Sequence, residues 1–178
     1  SVKQEVKSVT QPLRTTKTTS GRTTGQVANE VFLPELDTAR TVLYRQVEGL
    51  KLLRDELGPT FQEAVQCLLD TTAADGRVII AGIGKSGHVG RKIAATMAST
   101  GTPSYFVHAG EASHGDLGMI TSQDTVIALS NSGETAELLD LINYTRRYGI
   151  KLIAMTSGAE STLARMADIA LILPQDAE

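Results

Sequence analysis

The chain predicts an α/β fold, a doubly wound, mainly parallel five-stranded sheet with helices on both faces. Three observations carry that expectation. From Arg77 onward, short runs rich in Val, Ile and Leu alternate with segments of helical apolar spacing. Two of the runs, Arg77-Val78-Ile79-Ile80-Ala81 and Asp124-Thr125-Val126-Ile127-Ala128-Leu129, are apolar almost throughout, as strands covered on both faces must be. Both end in small polar turns that lead into a helical segment.

Two helices come first, at about 34–57 and 59–74, with Leu, Val and Ala at three- and four-residue spacing. Gly58-Pro59 divides them, and Pro59 suits the first turn of the second. The expected strands are 78–82, 104–108, 125–130, 151–156 and 168–173, and the helices between them 87–99, 134–148 and 160–167. Between Gly110 and Ile120 a loop with at most a short helix replaces one crossover helix. Residues 1–26 carry many Thr, Ser, Lys and Arg and almost no large apolar side chains, so they lack the material for a core and read as a disordered arm. The folded domain spans 27–178.

Composition narrows the function classes. The 178 residues are one domain's worth, 41% of them hydrophobic, with a formal charge of −3 that gives no reason to invoke nucleic acid or an anionic membrane. No apolar run reaches the ~20 residues that span a bilayer. The single cysteine, Cys67, cannot form an internal disulfide, and its helical setting suggests a buried thiol in a reducing, cytoplasmic compartment.

The most informative stretch is Gly82-Ile83-Gly84-Lys85-Ser86-Gly87-His88, where a strand breaks at glycines into a helix N-terminus. Free backbone N–H groups and the positive dipole end there favour an anion, usually a phosphate. A Walker A loop needs a glycine six residues before the lysine, and that position is Ile79. Gly82, Gly84 and Gly87 fit the dinucleotide fingerprint, but the following strand ends in His108-Ala109-Gly110, without the acidic residue that would hold a ribose. A second loop, Ser130-Asn131-Ser132-Gly133-Glu134-Thr135, sets three short hydroxyls around another helix start, with Ser132 a natural N-cap. Small hydroxyls and amides suit a compact phosphomonoester; ordinary capping is the alternative. The loops at 82–86, 108–114, 130–135 and 156–158 all follow strands, and in parallel sheets ligands bind at that edge.

Four segments together, Gly84-Lys85-Ser86-Gly87-His88, Ala98-Ser99-Thr100-Gly101-Thr102-Pro103, the run from His108 to Gly118 and Ser130-Asn131-Ser132-Gly133-Glu134-Thr135, resemble the sugar isomerase (SIS) domain family. Within it they are most similar to the D-arabinose 5-phosphate isomerases, and the similarity covers about 33–178. The resemblance implies a flavodoxin-like three-layer sandwich. It also implies interconversion of ribulose 5-phosphate and arabinose 5-phosphate through an enediol on the route to Kdo, without a cofactor. Lys85, Glu137 and Glu178 match positions linked to catalysis, and a further histidine belongs to a downstream segment beyond these 178 residues. Full-length relatives often carry paired CBS domains as well, so the chain is expected to be a fragment or a shortened form.

The resemblance further assigns substrate contact to Ser86, Gly101, Thr102, His108, His114, Ser130, Asn131, Ser132 and Thr135, and an inhibitory zinc to His108. A homodimer or homotetramer is implied, with sites at subunit boundaries. The stretch 140–149 also corresponds to a substrate-contact segment, where Arg146 and Arg147 could reach a phosphate on a neighbouring subunit, although solvated arginines are the commoner outcome. Glu134 and Glu137 both favour a helix N-terminus for dipole reasons, and only the resemblance sets Glu137 above Glu134. The contrasting class is a non-catalytic phosphosugar-binding SIS module.

Overall fold

The computed structural model describes residues 34–112 and 116–175. The two leading helices are α1 (Pro34–Glu56) and α2 (Pro59–Ala73), followed by β1 (Val78–Gly82), α3 (Gly84–Ser99) and β2 (Ser104–His108). After a short helix α4 (Ala109–Ala112) and a single 3-10 turn (Asp116–Met119) come β3 (Thr125–Leu129), α5 (Leu138–Tyr148), β4 (Lys151–Thr156), α6 (Thr162–Met166) and β5 (Ile169–Ile172). The strands form one parallel sheet in the order β2-β1-β3-β4-β5. The predicted fold class is therefore the observed one.

Two apolar layers cover the sheet. Alternate strand residues face opposite ways, so Ile79, Ala81, Val126 and Ala128 pack with Leu138, Leu141 and Ile142 of α5 and Leu163 of α6. Val78, Ile80, Ile127 and Leu129 pack on the other side with Ala64 and Cys67 of α2 and Ala94 and Met97 of α3. All five residues of β1 and of β3 are buried, which explains their unbroken apolar sequence. The exception to the packing is α1, none of whose 23 residues is buried.

The order of the strands fixes where a site can form. The chain leaves β1 towards β2 and then returns past β1 to lay down β3, so the direction of winding reverses between β1 and β3. At that switch point α3 departs to one face and α5 to the other, opening a crevice at the carboxyl ends of the two strands. In register, Gly82 of β1 stands beside both His108 of β2 and Leu129 of β3.

Two element starts differ from the expectation by more than two residues. α3 begins at Gly84 rather than near 87, because Gly84 takes a left-handed φ of 55° and the chain turns from strand to helix in one residue. Lys85 and Ser86 thus sit in its first turn. α5 begins at Leu138 rather than 134: Gly133, at φ 69°, bends the chain, and Leu138 and Leu139 donate their N–H groups three residues back, to Thr135 and Ala136. The expected arm at 1–26 lies outside the described residues.

Candidate functional site

The serine loop is built from its own hydrogen bonds. Ser130, buried at the end of β3, accepts the N–H of Gly133 at 3.0 Å and shares a 2.7 Å hydroxyl contact with Thr135. Ser132, exposed, accepts the N–H of Glu134 at 3.2 Å. It therefore closes a local turn and does not cap α5, as its position suggests it should. The residue before α5 is Glu137, exposed and making no side-chain capping bond. Its carboxylate is not used by its own helix, which removes the capping explanation for it.

A second loop, between β4 and α6, is sewn onto the first. The main-chain carbonyl of Asn131 accepts both the N–H of Ser157 at 3.0 Å and the hydroxyl of Thr156 at 3.1 Å. The Ser157 hydroxyl donates to Asn131 Oδ1 at 3.0 Å. Asn131, Ser132, Ser157, Gly158, Pro174 and Gln175 line a mainly polar recess of about 430 Å³. That is room enough for a small phosphorylated sugar. Another recess, about 480 Å³, lies at the α1–α2 corner against β5, lined chiefly by Leu53, Leu57, Phe61, Met155 and Leu171. Its apolar walls do not suit a phosphate.

On the other side of the switch point Lys85 is exposed and Ser86 half-buried, both in the first turn of α3. Close packing sets that turn: a Cβ on Gly82 would press on the backbone of Ser86, Gly87 and Leu129. The glycines there serve strand–helix contact. His108 ends β2, half-buried, and its Nδ1 is buried with no hydrogen-bond partner among the described residues. Among the described residues no group of three His, Cys, Asp or Glu side chains forms a metal site. His114 and Glu178 lie outside the described residues.

Gly101 and Thr102 are not brought to this crevice. They precede β2, at the amino edge of the sheet, where the carbonyl of Pro103 accepts the N–H of Val78 at 2.8 Å. In a single chain they stand at the opposite end of β2 from His108. Sequence reasoning placed Thr156 in a loop at the ligand edge but passed over Ser161; the side chains of both shape the serine loop from the β4–α6 side. Ser161 caps α6 by accepting the Ala164 N–H at 3.2 Å, a signal legible in Ser161-Thr162-Leu163-Ala164.

A switch-point crevice with a hydroxyl-rich loop on one lip and a lysine on the other is an anion-binding arrangement on a doubly wound α/β sheet. The chain belongs to the SIS domain family, which residues 72–178 match. It is 51% identical over 136 residues to "Arabinose 5-phosphate isomerase KdsD" of Pseudomonas aeruginosa, an alignment covering 76% of this chain and 41% of that one. The chain thus spans about two-fifths of the length of the curated relatives it matches. Among solved structures it is similar to an Escherichia coli CFT073 protein in complex with arabinose 5-phosphate, with TM-score 0.66 and 40% identity over 80% of this chain and 76% of that one. A Bacteroides fragilis phosphosugar isomerase described as involved in capsule formation gives TM-score 0.75 at 30% identity, over 81% and 76%. No described helix is long and apolar enough to cross a membrane.

Proposed function

We propose that this chain is the sugar isomerase domain of an arabinose 5-phosphate isomerase, interconverting D-ribulose 5-phosphate and D-arabinose 5-phosphate as a step towards Kdo and lipopolysaccharide. What supports the reading is that Lys85 follows β1, and the serine loop with Glu137 follows β3, the two strands flanking the switch point, in a chain half identical to proteins of that name. Ser130, Ser132 and Thr135 would receive the phosphate, with Ser86 and Asn131 flanking it. That leaves the open-chain end of the sugar to Lys85 on the other lip and to Glu137, just past the loop.

The reaction moves protons only and needs no external oxidant or reductant. A base takes the proton from C2 of the open-chain aldose and the C1 oxygen gains one, giving the enediol; a proton is then returned at C1 as the C2 hydroxyl loses its own, giving the ketose. Glu137, exposed and free of capping duty, is suited to the proton transfer, and Glu178 is a second carboxylate for it. Lys85 would steady the negative charge that develops on the oxygens of the enediol. His108, half-buried at the end of β2, and His114 would donate to sugar hydroxyls. Any zinc at His108 would then compete with substrate for the same imidazole.

The assembly belongs to the proposal too. We read the chain as a homodimer or homotetramer in the cytoplasm, with Gly101 and Thr102 reaching substrate from a second copy, since one chain keeps them at the far edge of the sheet. The free thiol of Cys67 is in keeping with a reducing compartment.

The test is conversion of arabinose 5-phosphate to ribulose 5-phosphate by the purified chain beside Lys85→Ala and Glu137→Gln. Each substitution is expected to cut turnover by about a hundredfold or more. Saturable sugar-phosphate binding with no conversion in the parent chain would instead identify a non-catalytic phosphosugar-binding module. Absence of both would sink the sugar-phosphate reading itself.

A further inference from the structure

The first three N–H groups of any helix lack partners within it, and in α6 each finds one. Ala164 donates to Ser161 Oγ, Leu163 to the carbonyl of Gly133 at 3.0 Å, and Thr162 to Glu134 Oε1 at 2.7 Å. Two of the three acceptors therefore come from the serine loop, 28 residues away in the case of Glu134. A helix of five residues has little stability of its own, so these bonds fix the start of α6 and the loop against each other. Glu134 is joined at both ends, since its N–H is the one that Ser132 Oγ accepts.

An acidic side chain in a phosphate-receiving loop poses an electrostatic problem, because an anion beside the phosphate would weaken binding. The geometry offsets it by giving the carboxylate the N-terminus of α6 as its partner. The Thr162 N–H and hydroxyl, with a smaller contribution from Arg165, hold the Glu134 carboxyl below its ordinary range, so it stays ionised and keeps its partner at neutral pH.

We infer that Glu134 is a positioning residue of the phosphate loop: its carboxylate, by accepting the Thr162 N–H, holds Ser132 and Thr135 in the arrangement that receives the phosphate. The inference rests on the sugar-phosphate reading above.

The experiment is calorimetric titration of arabinose 5-phosphate into the chain and into Glu134→Ala, Glu134→Gln, Thr162→Pro and the Glu134→Ala/Thr162→Pro double variant. Thr162→Pro deletes both the N–H and the hydroxyl that Glu134 accepts from, without touching the acid, and proline suits the first helical position, after an extended Ser161 (φ −69°, ψ 160°). Loss of a hydrogen bond to a charged group should weaken binding about tenfold in both single variants. The double variant should be no weaker than either one, because both break the same bond. Glu134→Gln keeps an acceptor and should lie between them and the parent.

Thr162→Pro binding as tightly as the parent, whatever its melting temperature, would overturn the positioning role alone. So would tighter binding by Glu134→Ala, which would mean that the carboxylate only repels phosphate. A parent chain that takes up no sugar phosphate overturns the functional reading and this one with it.

Discussion

Asp124, buried at the mouth of β3, grips Arg77 at the start of β1 through three hydrogen bonds. One runs from the Arg77 main-chain N–H at 2.9 Å and two from its guanidinium at 2.8 and 3.1 Å. Thr121 adds its N–H at 2.8 Å and its hydroxyl at 3.1 Å. This lock lies at the amino edge of the sheet, away from the crevice, and it sets the register of the two strands that flank the switch point.

Its loss should be costly and pH-dependent. Burial pushes the Asp124 carboxyl up, but the bonds from Arg77 and Thr121 outweigh burial and hold it below its ordinary value. A depressed folded pKa gives stability that is present above the unfolded value of about 4 and is lost as pH falls through the folded one. Asp124→Asn should destabilise by roughly 2–4 kcal/mol at pH 7. It should also flatten the acid limb of the stability curve below pH ~4. The chain has no tryptophan, so urea unfolding followed by circular dichroism is the measurement. An unchanged acid limb would refute the assignment.

Gly133 is expected to tolerate no side chain. Its φ of 69° is a left-handed conformation, and a Cβ there would overlap Ser161 and crowd the Thr156 hydroxyl. Gly133→Ala should cost about 2–4 kcal/mol from strain and overlap together. Sugar-phosphate affinity should fall with it, since the loop and α6 would be forced apart. Gly149→Ala provides the comparison: φ is 65°, but a Cβ there meets nothing within 4 Å, so only the backbone cost of about 1 kcal/mol remains.

The contrast between those two glycines also marks what the sequence could convey. The runs of β1 and β3 were readable because both faces of each strand are covered, and a two-sided burial leaves an unbroken apolar run. The anion-loop character of 82–88 and 130–135 was readable because small residues at strand ends have few other uses. The start of α5 was not. Ser132 and Glu134 look like a cap and a first-turn acid of the next helix, yet Ser132 bonds two residues on and Glu134 caps α6. Local pattern reading has no access to an acceptor supplied from another loop. The distance of Gly101 and Thr102 from the crevice was hidden for a related reason, because which edge of the sheet a turn occupies follows from strand direction and topology.

The surface of α1 should be an interface. Leu36, Val42, Leu43, Val47 and Leu50 are all more than two-fifths exposed on a helix with no buried residue, an arrangement that single domains rarely leave in water. If a second copy covers it, Leu43→Glu with Leu50→Glu should convert the assembly to monomer in light scattering while the circular dichroism of the α/β core persists. A multimer that survives both charges would place the interface elsewhere.

The contact between α2 and β3 makes the last prediction, and its asymmetry is the point. Thr71 Oγ1 donates to the carbonyl of Cys67 at 2.7 Å and lies 2.6 Å from Thr125 Oγ1, with both threonines buried. Because the Thr71 proton is committed to Cys67, Thr125 must be the donor between the two hydroxyls. Thr125→Val then leaves Thr71 with its own bond intact and should cost about 1 kcal/mol. Thr71→Val strands the Thr125 hydroxyl against the Cys67 thiol, 3.8 Å away and a weak acceptor, and should cost about 1–3 kcal/mol. The Thr71→Val/Thr125→Val double variant removes donor and acceptor together and should be less destabilised than the sum, since no buried hydroxyl is left unpaired. Equal and additive costs would mean that the Thr125 proton points elsewhere.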